Sequence, residues 1–493
     1  MDGPLSGDDH YALWVAHSMW AGEALNRDVF DPGTPLQSLL SYAGQVASGH
    51  RPVSEAVIAG LFKTFGVVLA YFLARGVMGR RWIAGIIAAI VAILAQPNGI
   101  YADDRMVLYP GAVLLGWWYL DRPATRSTIP LGLVTGIAFL LRHDHGIFIG
   151  VPLLLMIVLS RRSPLWFLLT AAIVVVPWAV WVQSTEGLVT YFTTRLSFSR
   201  TLGLDIHRPG FGFNLRRLIT HDNELRLLWQ TAVVATTGAL IVAARARDGR
   251  ILFLAAVSAL AEAGIMRELG RYPELAALWL PLGAWFITRL PRPVARPLLP
   301  VATVIVAAAA IGATDAYREI PQVIRGGGGL PHRLVEGFRL QSIYPPIDLY
   351  SPPGDMDDRL FVRYVHECLD PQDPVWETSV WFSLPYQSER RVVEHPYWML
   401  GFRHELDAQF ASALPAKGFP PLIVTRYQRR PLDAFRTYPV TQALVSREYE
   451  PFTSPRFEEY RRDVVDIQLL KHRGRSATGV FAPLDLPCFR RAS

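Results

Sequence analysis

Apolar runs that approach the roughly 30 Å thickness of a bilayer core recur along the first 313 residues of this chain. Ten of them lie near residues 55–74, 82–96, 106–120, 128–141, 145–159, 164–182, 227–244, 251–266, 273–290 and 295–313, several short enough to need flanking residues to complete a crossing. The pattern predicts a mainly α fold: a polytopic transmembrane helix bundle over residues 1–313, a Gly-rich joint at 314–330 containing Gly326 to Gly329, and a soluble domain over 331–493. In that last part PLIVTRY and DPVWETSVWF read as strands and LFVRYVHECL as a helix, which predicts an α/β or α+β domain.

The connections between the runs alternate in charge. Arg75, Arg80 and Arg81 follow the first run, Arg122 and Arg126 the third, and Arg161 and Arg162 the fifth; Arg245, Arg247 and Arg250 follow the seventh, and Arg289, Arg292 and Arg296 the ninth. The positive-inside bias makes these five turns cytoplasmic, so the other connections, the first 50 residues and everything after residue 314 are expected outside. A polar N-terminal stretch on the outside needs an element to carry it across, and the pattern therefore predicts one more transmembrane helix upstream of Met1, with direct translocation of a short N-terminal tail as the alternative. In the longest outer connection, residues 183–226, Leu188, Phe192 and Leu196 recur at helical spacing with Arg195 and Arg200 among them, which predicts a helix lying in the membrane interface.

Composition agrees with this picture. A chain of 493 residues with 51% hydrophobic content and a mean hydropathy of +0.22 carries more apolar surface than a soluble core of its size requires. The net charge of +7 comes from arginines scattered over short turns and the C-terminal part, with lysine only at Lys63, Lys417 and Lys471. No basic face interleaved with aromatics emerges, so nucleic acid is not an expected partner. The two cysteines, Cys368 and Cys488, both fall in the C-terminal part, where an oxidising compartment permits a disulfide between them; two free thiols is the alternative.

The outer side gathers the candidates for chemistry. They are Asp8, Asp9 and His10 in GDDHYAL, Asp103, Asp104 and Arg105 in YADDRM, Arg142, His143, Asp144 and His145 in LLRHDHGIF, and Arg267, Glu268 and Arg271 in MRELGRYPEL. Guanidinium forks bind phosphate oxygens in pairs and stabilise the charge that grows on a departing phosphate. A neighbouring carboxylate can take the proton of an acceptor hydroxyl. Together these groups suit sugar transfer from a polyprenyl phosphate carrier. Lys63 and Glu262 lie inside apolar runs, where charge is costly and usually faces the bundle interior; Lys63 reads as snorkelling or paired, and Glu262 as a candidate lining of the same outer cavity.

With GDDHYALWVAHSMWAGEAL followed by PGTPLQSLL, the chain resembles the polytopic GT-C glycosyltransferases, in particular bacterial relatives of the protein mannosyltransferases and the lipid A aminoarabinose transferases. The resemblance covers the layout of roughly the first 290 residues. It implies a catalytic aspartate at Asp8 or Asp9, with Asp8 favoured as the first acidic residue of the motif, and a second acidic loop at Asp103 and Asp104. It also implies phosphate-facing arginines at Arg267 or Arg271, to which Arg142 is added on charge. Asp103, Asp104, His143, Asp144 and His145 remain candidates for contacting substrate or a divalent cation. The branch that this chain resembles implies no required cofactor or metal, with Mg²⁺ or Mn²⁺ as the alternative. The chain departs from the group in lacking the first helix, which in relatives fixes the catalytic loop.

The implied protein is an inverting, multi-pass glycosyltransferase of a bacterial inner membrane, with its site and C-terminal domain outside the cytoplasm. Its partners would be a polyprenyl-phosphate sugar donor, membrane lipids, and a glycan, lipid or protein acceptor. Each cluster has a plainer reading: solvated acids at a chain start, a polar turn with a local ion pair, or a headgroup-level anchor. A transporter or lipid flippase predicts charges at the bilayer midplane and repeated, broken helices, neither of which the chain has. A non-catalytic scaffold predicts that Asp8 and Asp9 are dispensable and the C-terminal part essential.

Overall fold

Each of the ten apolar runs lies on a helix. The structure, a computed structural model, describes residues 7–29, 31–95, 100–205, 221–265, 274–313, 359–378, 383–391, 407–426, 432, 435–436, 438–464 and 467–490. Two helices come first, α1 (Gly7–Trp20) and α2 (Pro35–Ser48), where the sequence pattern predicts only a polar outer stretch. They are followed by α3 (Val53–Met78), α4 (Arg81–Leu94), α5 (Ile100–Asp121), α6 (Ile129–Leu141), α7 (His143–Leu159), α8 (Leu165–Thr185), α9 (Leu188–Asp205), α10 (His221–Ala246), α11 (Gly249–Ile265), α12 (Ala276–Thr288) and α13 (Arg292–Ala313).

Among the described residues, four stretches are each long and apolar enough to cross a membrane: α3, α8, Arg226–Ala246 of α10, and Arg292–Gly312 of α13. Helices α6 and α12 have 13 residues each, about 20 Å at 1.5 Å per residue, short of a full hydrocarbon core. Away from the neighbouring helices the exposed side chains are apolar: Phe65 and Phe72 on α3, Leu155 and Leu159 on α7, Ile173 and Val180 on α8, Val301 and Val304 on α13. With Leu159 at 81% and Val304 at 68% exposure, this surface needs hydrocarbon around it, and the chain is a membrane protein. Prolines 110, 152, 177 and 281 inside helices fit the same solvent.

Small residues set the closest packing. On α6, Gly132 and Gly136 are spaced by four and face α8: a Cβ at Gly132 would collide with the Phe167 carbonyl and the Thr170 hydroxyl, and one at Gly136 would come within 2.8 Å of the Val174 Cβ. On α7, Gly146 and Gly150 face α6 in the same spacing, with the Thr135 methyl 2.7 Å from a Cβ at Gly150. Bare backbone at these positions lets helices approach closely where lipid offers no hydrophobic drive for association. Gly136→Ile is expected to cost about 1–3 kcal/mol by overpacking. It should lower the thermal midpoint of the purified protein, whereas Gly85→Ala, which meets open space, should not.

At the arginine-bearing end, Arg250 pairs with Asp121 and the Trp117 indole donates to the Arg250 carbonyl at 2.9 Å, tying α5 to α11. The acidic and histidine-bearing connections lie at the opposite end, because consecutive helices joined by short turns run up and down.

Beyond residue 358 the described elements are α14 (Arg359–Cys368), β1 (Val375–Glu377), α15 (Ser383–Gln387), α16 (Asp407–Lys417), β2 (Leu422–Arg426), α17 (Pro439–Glu448), β3 (Tyr449–Pro451), α18 (Pro455–Val464), β4 (Ile467–His472), β5 (Gly479–Phe481) and β6 (Leu486–Cys488). The three expected segments thus fall on β2, β1 and α14. One sheet has the order β1-β2-β4-β3, with β1 parallel to β2 and the other pairs antiparallel; β5 and β6 form a hairpin. Leu422 and Val424 of the central strand join a core with Phe361 and Val365 of α14, while Ile423 faces Trp376, Phe435 and Tyr449 on the other side. That alternation explains why LIVTR is apolar almost throughout: both faces are covered. Cys368 and Cys488 form a disulfide that ties the end of α14 to the end of β6, 120 residues apart. The expected joint at 314–330 lies outside the described residues.

Candidate functional site

The turn between α1 and α2 is built on one carboxylate. Asp31, fully buried, accepts the main-chain N–H of Gly33 at 3.0 Å and of Thr34 at 2.7 Å through Oδ1, closing the turn of DPGTP. Gly33 has φ +105°, a conformation that side-chain-bearing residues avoid, and Pro35 starts α2 with its preset φ. The second oxygen, Oδ2, accepts the Tyr191 hydroxyl at 2.9 Å. The turn also abuts α7, where the His143 N–H donates to the Gly33 carbonyl at 3.3 Å.

Helix α9 reaches this turn with its polar face. Tyr191, Thr194 and Arg195, at helical spacing, are buried, whereas Phe192 and Leu196 of the expected apolar stripe, with Val189 beside them, are exposed and Leu188 is half-buried. The apolar side therefore turns away from the protein, as an interfacial helix requires. Arg195 donates Nε to the Asp31 carbonyl at 2.7 Å, Nη1 to both Glu186 oxygens at 2.6 and 2.7 Å, and Nη2 to Asn26 Oδ1 at 3.2 Å, and its guanidinium lies 3.8 Å over the Tyr191 ring. Burial, followed by the Asp31 carboxylate, raises the hydroxyls of Tyr191 and of Tyr11 on α1 well above the ordinary tyrosine value.

A single extended residue, Arg142, separates α6 from α7, and the two histidines after it turn to opposite sides. His143 donates Nδ1 to the Phe139 carbonyl at 2.8 Å, its Nε2 meets the Tyr191 hydroxyl at 2.8 Å, and Phe139, Trp178 and Phe192 surround its ring. His145 accepts the Arg105 Nε–H on Nε2 at 3.4 Å, while its Nδ1 faces the Tyr109 hydroxyl at 3.0 Å and Asp144 Oδ1 at 3.3 Å. Arg105, with no solvent exposure, forms an ion pair with the buried Glu274. Asp104 is buried beside them, its Oδ2 at 3.7 Å from His145. Asp104 Oδ1 and Arg105 Nη2 keep an acceptor and a donor without a hydrogen-bond partner in this cluster. Both are chemically suited to a bound hydroxyl or water.

The structure distributes the sequence candidates unevenly. Asp104, Asp144 and His145 come together around Arg105, whereas His143 belongs to the Asp31 cluster. Both ring nitrogens of each histidine face protein partners, and among the described residues no three His, Cys, Asp or Glu side chains gather as a metal site. Arg142 pairs with Asp144 at 3.1 Å and remains partly exposed. Asp8 and Asp9 form the first turn of α1 and Asp103 the first turn of α5; their side chains, and Arg267 and Arg271 altogether, lie outside the described residues. Glu262 accepts hydrogen bonds from Thr236 at 2.6 Å and Ser258 at 2.8 Å, between α10 and α11.

Sequence reasoning missed Asp31, Glu186, Tyr191 and Glu274. A signal for Asp31 existed in the acid preceding Pro-Gly-Thr-Pro, and for Tyr191 in the polar positions opposite the apolar stripe of α9. Glu274 had none, because its partner is 169 residues away.

No protein-family model and no curated protein matches the chain. Among solved structures, the crystal structure of ArnT from Cupriavidus metallidurans in the apo state is similar at a TM-score of 0.51, with 14% identity over 95% of this chain and 93% of that one. The same enzyme bound to undecaprenyl phosphate gives 0.52 and 14%, over 95% and 94%. An oligosaccharyltransferase from Archaeoglobus fulgidus, in complex with Zn and sulfate, gives 0.49 and 12%, over 91% and 68%. ArnT is an aminoarabinose transferase and a member of the GT-C superfamily. At this level of identity the likeness is one of architecture, and it extends over nearly the whole of both chains: this protein has the fold that ArnT carries.

Proposed function

We propose that this chain is an inverting glycosyltransferase that moves a sugar from a polyprenyl phosphate to a hydroxyl acceptor at the extracytoplasmic face of a bacterial inner membrane. In this reading all ten apolar helices cross the bilayer, residues 331–493 form an extracytoplasmic domain, and that domain helps to present the acceptor. The observation that carries the proposal is the convergence of two buried polar clusters, around Asp31 and around Arg105, at one end of an apolar bundle with the ArnT fold. Charged groups inside a membrane protein are costly and are retained at sites of function.

In the proposed reaction Asp8 or Asp9 takes the proton of the acceptor hydroxyl as its oxygen bonds to the anomeric carbon. The carbon–oxygen bond to phosphate breaks, and polyprenyl phosphate leaves with the electron pair. Arg142, Arg267 and Arg271 hold that phosphate, and α9, its apolar face outward, covers the lipid donor. Asp104, Asp144 and His145 line the substrate side. The reaction so written needs no metal, since arginines supply the positive charge.

The test is release of polyprenyl phosphate from labelled polyprenyl phosphate sugars in membranes containing the protein, with and without chelator. Release accompanied by a new glycosidic bond, undiminished by chelator, is the expected result. Loss with chelator and recovery with Mg²⁺ or Mn²⁺ would sink the metal-free mechanism. Movement of the intact donor between leaflets without release would replace the enzyme by a transporter.

A further inference from the structure

The segment Ser383–Arg390 is a rigid knuckle that presents one ring. The buried Arg390 guanidinium closes it: Nη2 donates to the carbonyls of His366 and, at 2.9 Å, Leu369, while Nη1 donates to those of Ser388 at 3.3 Å and Glu389 at 3.1 Å. The same guanidinium therefore caps the end of α14 and fastens the turn after α15. Glu389 completes the reversal in the left-handed region, at φ +53°.

The ring held out by this knuckle, Tyr386, is only 2% exposed, yet it belongs to neither apolar layer of the sheet. It packs with Tyr11, Leu13, Trp14 and Val15 of α1 and with Leu25 and Val29. The His17 ring meets it edge-on, with centroids 6.1 Å apart, and its hydroxyl reaches the His50 carbonyl just past α2 at 3.4 Å. Among the described residues, Tyr386 is the buried side chain of the C-terminal region that joins the core of the N-terminal helices. Helix α1 is also the element whose first turn contains Asp8 and Asp9.

We infer that Tyr386 is a positioning residue: it is the knob by which the C-terminal sheet region fixes α1, and with it the acidic pair, over the outer end of the bundle. The inference rests on the reading of α1 as the catalytic helix given above. Helix α1 has 14 residues, too few to be stable alone in water, and needs neighbours on every side. The bundle and α2 supply some of them, and Tyr386 adds another. Losing the knob leaves donor binding intact, because the proposed phosphate-holding arginines lie elsewhere in the sequence, and impairs the chemical step alone.

The experiment is hydrogen exchange and steady-state kinetics on the full chain in lipid nanodiscs, comparing wild type with Tyr386→Phe, Tyr386→Leu and Tyr386→Ala. In Tyr386→Ala the amides of residues 11–20 should exchange about a hundredfold faster, the scale of an aromatic truncation in a packed core. Strands β2 and β4 should stay protected, kcat should fall at least about tenfold with KM for the donor unchanged, and Tyr386→Phe should restore both. If the sheet also loses protection in Tyr386→Ala, Tyr386→Leu decides by the same readouts. Unchanged exchange in α1 overturns the inference, as does a loosened α1 with undiminished kcat. Absence of transfer by the wild type would instead sink the proposed function, and the exchange data would still decide whether Tyr386 holds α1.

Discussion

Asp8→Asn and Asp9→Asn are expected to differ sharply: one should lower sugar transfer about 10²–10⁴-fold, the range a positioned general base contributes, and the other by less than about tenfold. Asparagine keeps the size and helix-end preference of aspartate, so neither change should disturb α1, whose buried run Tyr11 to Ala16 holds it in place. The loss should appear in kcat, with donor KM unchanged, because a base acts on the acceptor proton in the transition state and adds little to donor binding. We propose Asp8 as the base, because it is the first acidic residue of GDDHYAL. Full activity in both variants would remove the base from α1 altogether.

Asp31→Ala should be the most damaging change to stability outside the hydrophobic core. It removes the acceptor of two main-chain N–H groups and of the Tyr191 hydroxyl, all buried. Hydrogen bonds to a charged group contribute about 1.5–3 kcal/mol each, and donors left behind without partners add their desolvation, so a loss of at least about 3 kcal/mol is expected. Asp31→Asn should cost far less, since its carbonyl oxygen can still serve Gly33 and Thr34 while its amide can donate to the Tyr191 oxygen. Thermal unfolding of both variants in detergent, with exchange of residues 188–196 as the local readout, checks this. Wild-type behaviour of both variants would mean that the turn tolerates loss of the acceptor and that Asp31 does not hold α9.

The site is stabilised mostly by contacts between residues far apart in the chain. Asp31 and Tyr191 are 160 residues apart, Asp31 and Arg195 164, and Arg105 and Glu274 169. What joins them is the RHDHG joint between α6 and α7, which sends His143 to one cluster and His145 to the other. Its shortness follows from packing: Gly146 and Gly150 let α7 fold straight back onto α6, with one residue between the helices. The same residues that determine bundle geometry therefore determine which way each histidine faces.

Local order along the chain was legible in the sequence because its cause is local. Ten apolar runs became ten helices, since a backbone in hydrocarbon must satisfy its own hydrogen bonds. The stripe of Leu188, Phe192 and Leu196 was enough to predict α9, and PLIVTRY to predict a strand, though not that both of its faces are covered. The candidates Asp104, Asp144 and His145 were found because each sits beside the end of an apolar run. Helix α1 escaped notice since YALWVA is too short to suggest a crossing and its polar flanks resemble a loop. The tertiary structure alone decided that Asp31 and not a longer acidic run anchors the outer turn, that the two histidines of one motif serve different clusters, and that Tyr386 of α15 completes the core around α1. Each is a long-range side-chain contact, fixed by how whole helices pack and not by the period of the residues around it.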